Sequence, residues 1–393
     1  MVKVLSLFSS RQFSASAVRC IALGAAFLFV FAWIQPKANA QLAIVHNFGD
    51  GTVPNDGTYA ANGLIQAPDG NFYGGTFSNV TTQKPIVYRM TSSYVVTPIQ
   101  TFEKGMYITD ELTYDNGKLL VITYGPVGGV ARLFELTESG KGTWSKSLWY
   151  EFSRLNGPTA PSGPAGPLVL DKNGYFYGAA IEGGSKFLGA IFKVNASTHQ
   201  VTVISSFKGP SPASYPVTAL LLASDGNFYG GTQSFSGSGE IFKVTPGGKV
   251  STFYTFSGTA VNLDAPLIQG SDGNFYGIAG SYIFKLTPDA TFTILHTLMG
   301  TDGSNPAGAL AQGPNGNLYG LCTYGGIANT GTLYEVSIDG SSFTVLHNFG
   351  DGSIQSDGLY PQGSLLLAAD NNFYGVTQYG GSAKEGTIFK ISP

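Results

Sequence analysis

Histidine, cysteine and clustered carboxylates are the side chains best suited to chemistry, and the sequence holds few of them. Three of its four histidines share one local context: His46 in Leu42-Ala-Ile-Val-His-Asn-Phe48, His296 in Phe292-Thr-Ile-Leu-His-Thr-Leu298 and His347 in Phe343-Thr-Val-Leu-His-Asn-Phe349. Four further copies of this position hold Gln100, Tyr150, Ser205 and Tyr254. The position therefore belongs to a repeat, and its copies are expected far apart in space. No three histidines or carboxylates have the spacing of a metal site. Gly49–Gly57 and Gly350–Gly358 share the pattern Gly-Asp-Gly-x4-Asp-Gly. Paired aspartates in a glycine-rich loop are the oxygen donors that calcium takes, but known calcium loops carry more carboxylates, and turn formation accounts for the pattern. Ser236-Gly-Ser-Gly239 and Gly380-Gly-Ser382 lie in loop sequence and lack the strand-to-helix setting of a serine nucleophile. Cys322 follows the strand-like Leu318-Tyr-Gly-Leu321 and reads as a small buried hydrophobe. No catalytic set, cofactor or metal is expected from these residues.

The elements that carry them recur with a period of about fifty residues, the mark of repeat architecture. Asp69-Gly-Asn-Phe-Tyr-Gly74 recurs at Asp225–Gly230 and Asp272–Gly277. Altered copies stand at Asn173–Gly178, Asn315–Gly320 and Asp370–Gly375, and a degenerate one at Asn116–Val121. Each has an apolar strand before it (a, for example Leu64-Ile65 or Leu267-Ile268) and forms a strand itself (b). A third strand (c) resembles Ile241-Phe-Lys-Val244, and a fourth (d) ends at Phe102, Phe152, Phe207, Phe256, Leu298 or Phe349. Only six d strands follow their c strands. The seventh stands at the front of the chain, where Leu42–Phe48 matches Phe343–Phe349. A linear solenoid has no use for this offset, whereas a closed ring does, because the first strand then completes the last sheet and leaves no edge open. The fold expected is all-β: a seven-bladed β-propeller with four-stranded blades. The blades run roughly over 62–102, 110–152, 166–207, 218–256, 265–298, 308–349 and 363–391, the last completed by 42–48. Adjacent Phe and Tyr in strand b point to opposite faces and fill the gaps between blades. The glycine after them either ends the strand or permits close approach. Lys193, Lys243, Lys285 and Lys390 share one strand c position and read as chains that cover apolar surface.

These units resemble the GloVer tandem repeat of bacterial surface proteins that carry one of several C-terminal anchors. The most specific stretches are Leu267-Ile-Gln-Gly-Ser-Asp-Gly-Asn-Phe-Tyr-Gly277, Tyr324-Gly-Gly326 followed by Gly331-Thr332, and Phe343–Phe349. The resemblance spans nearly all of residues 42–393 and implies an extracytoplasmic location. It brings no catalytic residue with it. The chain ends at Ile391-Ser-Pro393 with no sorting signal or hydrophobic tail, so a periplasmic or released protein is expected over an anchored one.

Residues 1–40 read as a secretory signal peptide. Lys3, Arg11 and Arg19 precede an apolar run from Ile21 to Ile34, and Ala38-Asn-Ala40 supplies the small residues of a cleavage site. The run is short for a membrane span, so no stable membrane insertion is expected after cleavage. These forty residues hold four of the 21 basic side chains and none of the 24 acidic ones, so the remainder carries a net charge of about −7. That balance, with no basic stripe, argues against nucleic acid as a partner.

Function is expected on the face that carries the b–c and d–a loops, which are longer and more variable than the a–b turns. Tyr124, Glu182, Phe235, Tyr324 and Tyr379 fall in b–c loops, and Lys104, Arg154, Lys208 and Asp302 in d–a loops. From these, Tyr124, Arg154, Glu182, Tyr324 and Tyr379 are the expected ligand contacts. Rings beside a few polar groups suit an extracellular polysaccharide or a protein. A non-enzymatic binding or scaffold module is the first reading. A carbohydrate-active lyase or hydrolase is the second, on fold analogy alone, and a structural part of the envelope the third. Cleavage after Ala40 would leave Gln41 first, and mass spectrometry of the exported protein tests this: a species that retains residues 1–40 would refute it.

Overall fold

The computed structural model describes residues 41–77, 84–108, 111–125, 129–140, 142–153, 156–157, 159–209, 214–233, 239–257 and 261–393. These residues form seven small antiparallel sheets in a ring, a seven-bladed β-propeller with strands a to d running from the axis outward. Blade 1 comprises Ala60–Gln66, Phe72–Thr76, Ile86–Met90 and Val96–Thr101. Strands b to d of blade 2 are Lys118–Tyr124, Ala131–Gly140 and Thr143–Phe152; those of blade 3 are Tyr175–Glu182, Ala190–Asn195 and Val201–Ser206. Blade 4 has Phe228–Thr232, Glu240–Val244 and Val250–Thr255, blade 5 Phe275–Ala279, Tyr282–Leu286 and Phe292–Thr297, and blade 6 Leu318–Tyr324, Thr332–Val336 and Phe343–Asn348. Blade 7 takes Gly358–Leu367, Phe373–Gly380 and Thr387–Ile391 from the end of the chain and Leu42–Asn47 from the front. Leu42 pairs with Ile391, Ile44 with Phe389 and Asn47 with Thr387, so the ring is closed as the sequence requires.

Strand b explains how the blades pack. Its Phe and Tyr alternate between the two faces, and the Tyr of one blade meets the Phe of the next. Tyr177 lies 4.2 Å from Phe228, Tyr229 4.6 Å from Phe275, Tyr319 4.4 Å from Phe373 and Tyr374 4.6 Å from Phe72, all between ring centroids. Where one ring is missing an aliphatic residue takes its place, as with Tyr73 against Leu119, Leu120 against Phe176 and Tyr276 against Leu318. Each buried ring removes enough apolar surface from water to stabilise the fold by roughly 2–3 kcal/mol.

The glycine after this Tyr does not end the strand. In blades 1 and 3 to 7 it pairs across the ladder with the aromatic residue of strand c: Gly74 with Tyr88, Gly178 with Phe192, Gly230 with Phe242, Gly277 with Phe284, Gly320 with Tyr334 and Gly375 with Phe389. The ring lies over the bare Cα. A Cβ on Gly375 would come within 2.3 Å of Phe389 Cζ, and one on Gly320 within 2.3 Å of the Tyr334 hydroxyl. Blade 2 has Val121 here, and there the opposing Phe134 is less completely buried.

The strand c lysines do more than cover apolar surface. Lys243 Nζ donates to Asp225 of the a–b turn at 2.8 Å, and Lys390 Nζ lies 3.2 Å from Asp370. The hydrogen bond from Lys243, with others from Asn227 and Tyr229, holds the Asp225 carboxyl far below the usual range against the opposing effect of burial. Lys193 instead lies over the Tyr175 ring, 4.4 Å from its centroid. Blade 6 reverses the polarity: Glu335 replaces the lysine, Asn315 replaces the turn aspartate, and Asn315 Nδ2 donates to the Glu335 carboxylate at 2.8 Å. Blade 2 pairs Lys118 with Glu135 at 2.8 Å.

Strand a is longer than the apolar pairs in the sequence imply. It starts earlier, breaks at a bulge and resumes. In blade 1 the register jumps between Ala61 and Ile65. In blade 2 the two halves are Tyr107–Ile108 and Thr113–Asp115, in blade 3 Ser162–Pro164 and Val169–Leu170, and in blade 6 Ser304–Pro306 and Ala311–Gln312. In blades 4 and 5 the first half is a single bridge, Pro216 to Thr232 and Leu263 to Ala279. Part of each expected d–a loop is thus inner strand. The bulges line the axis, where Gly308, Gly363 and Gly63 bring three backbones together; a Cβ on Gly363 would lie 2.0 Å from Gly63 N. Glu111 of blade 2 accepts a hydrogen bond from Ser364 N of blade 7 at 3.1 Å.

Gly375→Ala is expected to lower stability by about 1–3 kcal/mol, through overpacking against Phe389. Urea denaturation measures this, and Phe389→Leu in the same chain should recover part of the loss. Equal losses from Gly375→Ala with and without Phe389→Leu would contradict the contact.

Candidate functional site

Glu182, Tyr324 and Tyr379 occupy one repeat position at the loop end of strand b, four residues after the strand's glycine, and Tyr124 stands one place earlier in its blade. The ladder sets Tyr124, Glu182, Tyr324 and Tyr379 opposite Tyr107, Ser162, Ser304 and Leu359 respectively. They belong to blades 2, 3, 6 and 7. Arg154 and Phe235 lie outside the described residues.

Tyr324 and Tyr379 are brought together by a residue that the sequence reading passes over. Tyr360, from strand a of blade 7, lies between them, 5.4 Å from Tyr324 and 5.9 Å from Tyr379 between ring centroids. Tyr59 of blade 1 continues the row 5.1 Å beyond Tyr379. Adjacent rings meet edge to face, the arrangement that aromatic quadrupoles favour. Tyr324 and Tyr379 are the open members, 46% and 40% exposed, whereas Tyr59 and Tyr360 are half-buried supports. Tyr124 belongs to a separate stack: it lies parallel to Tyr107 at 5.5 Å, and its hydroxyl donates to Pro164 O of blade 3 at 2.6 Å. Glu182 is half-buried in blade 3.

The supporting tyrosines are held by backbone geometry. Tyr59 and Tyr360 have φ of 57° and 56°, the left-handed region that is costly for a bulky side chain. Tyr59 N donates to Glu385 O at 2.6 Å and Tyr360 N to Thr330 O at 2.8 Å. In each case a b–c loop of one blade fixes a tyrosine of the next. Tyr215 repeats the arrangement on Leu188 O, with φ of 60°. The accepting loops share one form, Gly183–Gly189, Gly325–Gly331 and Gly380–Gly386, each closed by a hydrogen bond from its last N–H to its first carbonyl at 3.1–3.2 Å.

The paired-aspartate loops have a different role from a simple turn. The first aspartate does shape the turn: Asp50 accepts from Thr52 and Asp351 from Ser353, and these hydrogen bonds lower both carboxyls below the usual range. The second folds inward onto a histidine. His46 Nε2 lies 2.9 Å from Asp56 Oδ2 and His347 Nε2 2.9 Å from Asp357 Oδ2, all four side chains buried. Asp302 clasps His296 at 2.7 Å in the same way, so it is not the open polar group expected of it. Gly49 N, Gly350 N and Met299 N also donate to these carboxylates. The three clasps fix the consecutive d–a loops that follow blades 5, 6 and 7. Beside them lie two equivalent open grooves. One of about 580 Å³ is lined by Ile354, Leu359, Tyr360, Tyr379 and Lys384, and one of about 640 Å³ by Val53, Pro54, Asn55, Thr58 and Lys84.

On the axis lies a cavity of about 430 Å³ bordered by all seven inner bulges, with Glu111 and Asp264 in its wall. Burial raises the Asp264 carboxyl above the usual range, partly offset by the hydrogen bond it accepts from Gly280 N. Cys322 is fully buried and its thiol is pushed up to about 12. Among the described residues no three His, Cys, Asp or Glu side chains converge to hold a metal ion. Nor is any helix of the described residues long and apolar enough to cross a membrane.

Fold and loop geometry define the class: a seven-bladed β-propeller latched by its first strand, with a tyrosine row on its loop face. Over residues 111–283 and 279–393 the chain matches the Gloeobacter/Verrucomicrobia repeat, and it belongs to that family. Among curated proteins none matches it in sequence. Among solved structures it is similar to a puromycin hydrolase, with a TM-score of 0.53 and 12% identity over 81% of this chain; it spans half of that hydrolase. It is also similar to a protein assigned as an oxidoreductase (glucose dehydrogenase) from Thermus thermophilus, with a TM-score of 0.46 and 12% identity over 90% of this chain and 99% of that one. A protein assigned as a gluconolactonase gives a TM-score of 0.44 and 14% identity over 79% and 95%. At such identities the likeness concerns the fold alone.

Asp357→Ala is expected to cost about 3–5 kcal/mol, because it strands buried His347 and the Gly350 N–H. Asp357→Asn, which keeps an acceptor in place, should cost less. Thermal unfolding of both variants distinguishes this role from that of a surface turn, for which the two losses would be small and equal.

Proposed function

We propose that this propeller is an extracytoplasmic, non-enzymatic binding module that engages an extracellular polymer on its b–c and d–a loop face. One observation carries the reading: Tyr324 and Tyr379 stand open at the surface while Tyr59 and Tyr360, both in a costly backbone conformation, hold them in a row. Local strain kept in place by surrounding structure is a feature of functional sites. Exposed rings on a rigid scaffold offer contact area at little cost in side-chain entropy. Export places such a surface among cell-wall and secreted glycans, and the N-terminal segment supports that location.

A second reading, a carbohydrate-active enzyme, is favoured by a different observation. Asp264 and Glu111 share the axial cavity, and one of them has a carboxyl shifted toward general acid use. In that case Asp264→Asn would abolish release of sugar from a polysaccharide and leave binding on the loop face intact.

A glycan array probed with residues 41–393 tests the first reading. Saturable binding is expected, with loss of about tenfold or more in affinity for Tyr324→Ala or Tyr379→Ala. Binding unchanged in both variants would remove the loop-face site.

A further inference from the structure

The tyrosine row points to the kind of chain it holds, and this inference rests on the binding reading above. We propose that the row binds the interior of a neutral, extended, β-linked hexopyranose chain, laid tangentially over blades 6, 7 and 1.

Three observations lead there. The first is spacing. Tyr324 and Tyr379 are separated by one intervening ring, at steps of 5.4 and 5.9 Å, and both meet that ring at steep angles of 64° and 85°. Tyr324 and Tyr379 are the exposed members of the row and thus the rings a ligand can reach, with the half-buried Tyr360 between them. A flat hexopyranose has an apolar C–H face that packs on an aromatic ring. In a two-fold, ribbon-like β-linked chain the sugars alternate by half a turn, so the same face recurs at every second residue. Two platforms with one support between them suit residues n and n+2 of such a chain.

The second is shape. The row runs from one blade to the next and is open at both ends: Tyr59 of blade 1 extends it past Tyr379, and open grooves of about 580 and 640 Å³ flank it in neighbouring blades. A pocket for a single sugar or a chain terminus would instead enclose its ligand. Nothing in this arrangement selects a chain end, so the interior of a polymer fits as well as its terminus.

The third is charge. Three carboxylates lie by the row: Glu385 sits against Tyr59, whose hydroxyl is raised above the usual range by burial and by that carboxylate, while Asp56 and Asp357 are turned inward onto His46 and His347 and onto glycine N–H groups. Each groove carries one exposed lysine, Lys84 or Lys384. A polyanion is held by many cations acting together, and among the described residues these two grooves present one each. Hydroxyl groups of a neutral chain match one lysine amine per groove and the backbone of the glycine loops.

Isothermal titration calorimetry with cello- and chito-oligosaccharides of one to six residues tests the proposal. The monosaccharides should give no binding. Affinity should rise with length and level off at about four to six residues, as the chain comes to cover both platforms. Borohydride-reduced hexamers should bind within about twofold of the unreduced ones. Tyr324→Ala and Tyr379→Ala should each lower hexamer affinity about tenfold, and the Phe variants should restore it, since stacking needs the ring and not the hydroxyl. A monosaccharide that binds as tightly as the hexamer, or a requirement for the reducing end, would overturn the open row. Array binding that depends on Tyr324 but is not competed by either oligosaccharide series would overturn the β-linked chain and leave the binding module standing. Binding to no glycan at all, with Tyr324 and Ile327 required for a defined protein ligand, would refute both glycan assignments; Ile327, 80% exposed beside Gly326, is the residue such a partner would cover.

Discussion

Every blade has two apolar faces, and a four-stranded sheet of this size cannot leave either in water. The rest of the structure depends on that constraint. Strand b places a Phe on one side and a Tyr on the other, so each blade needs a neighbour on both sides. A row of such blades has two unsatisfied ends, and only a ring removes them. Seven apolar clusters among the described residues, one at each junction, are the result. The closing junction is cemented in several ways at once. Tyr374 packs on Phe72, Gln66 accepts from Ala369 N, and Lys390 donates to Tyr94.

Much of this is legible in the sequence because the interactions are local or repeated. Asp-Gly-Asn-Phe-Tyr-Gly encodes a turn and a doubly buried strand within six residues. The match between Leu42–Phe48 and Phe343–Phe349 encodes closure. What stays hidden depends on contacts across the fold. The bulge in strand a breaks the two-residue period and conceals the strand's first half. The glycine after Tyr tells nothing by itself; its reason is an aromatic ring on the next strand. The exchange of Asp and Lys in blades 4 and 7 for Asn and Glu in blade 6 is visible only once the strands are side by side.

The site is legible in part, and for the same reason. Tyr324 and Tyr379 stand beside conspicuous glycine pairs, which mark them as loop residues. Tyr59 and Tyr360 are hidden, although each follows an aspartate by three residues in Asp-Gly-x-Tyr. Their importance comes from a left-handed backbone and from a hydrogen bond to the preceding blade, neither of which composition reveals. The recurring context of the histidines assigns them to repeat architecture but does not disclose their partners. A clasp between a strand d histidine and an aspartate of the following loop fixes that loop, and in two blades the tyrosine follows the clasped aspartate by three residues. Among the other expected contacts, Tyr124 serves the junction of blades 2 and 3.

The latch has a consequence for how the molecule comes into being. Leu42–Asn47 is among the first segments of the propeller to leave the ribosome, and its partner Thr387–Ile391 is the last. Until Thr387–Ile391 has been made, that opening strand has no neighbour, and blades 1 to 6 expose both terminal faces of an unfinished arc. A growing propeller therefore passes nearly all of its synthesis with an open sheet edge that other chains could join, and the edge is covered only when its first and last strands meet.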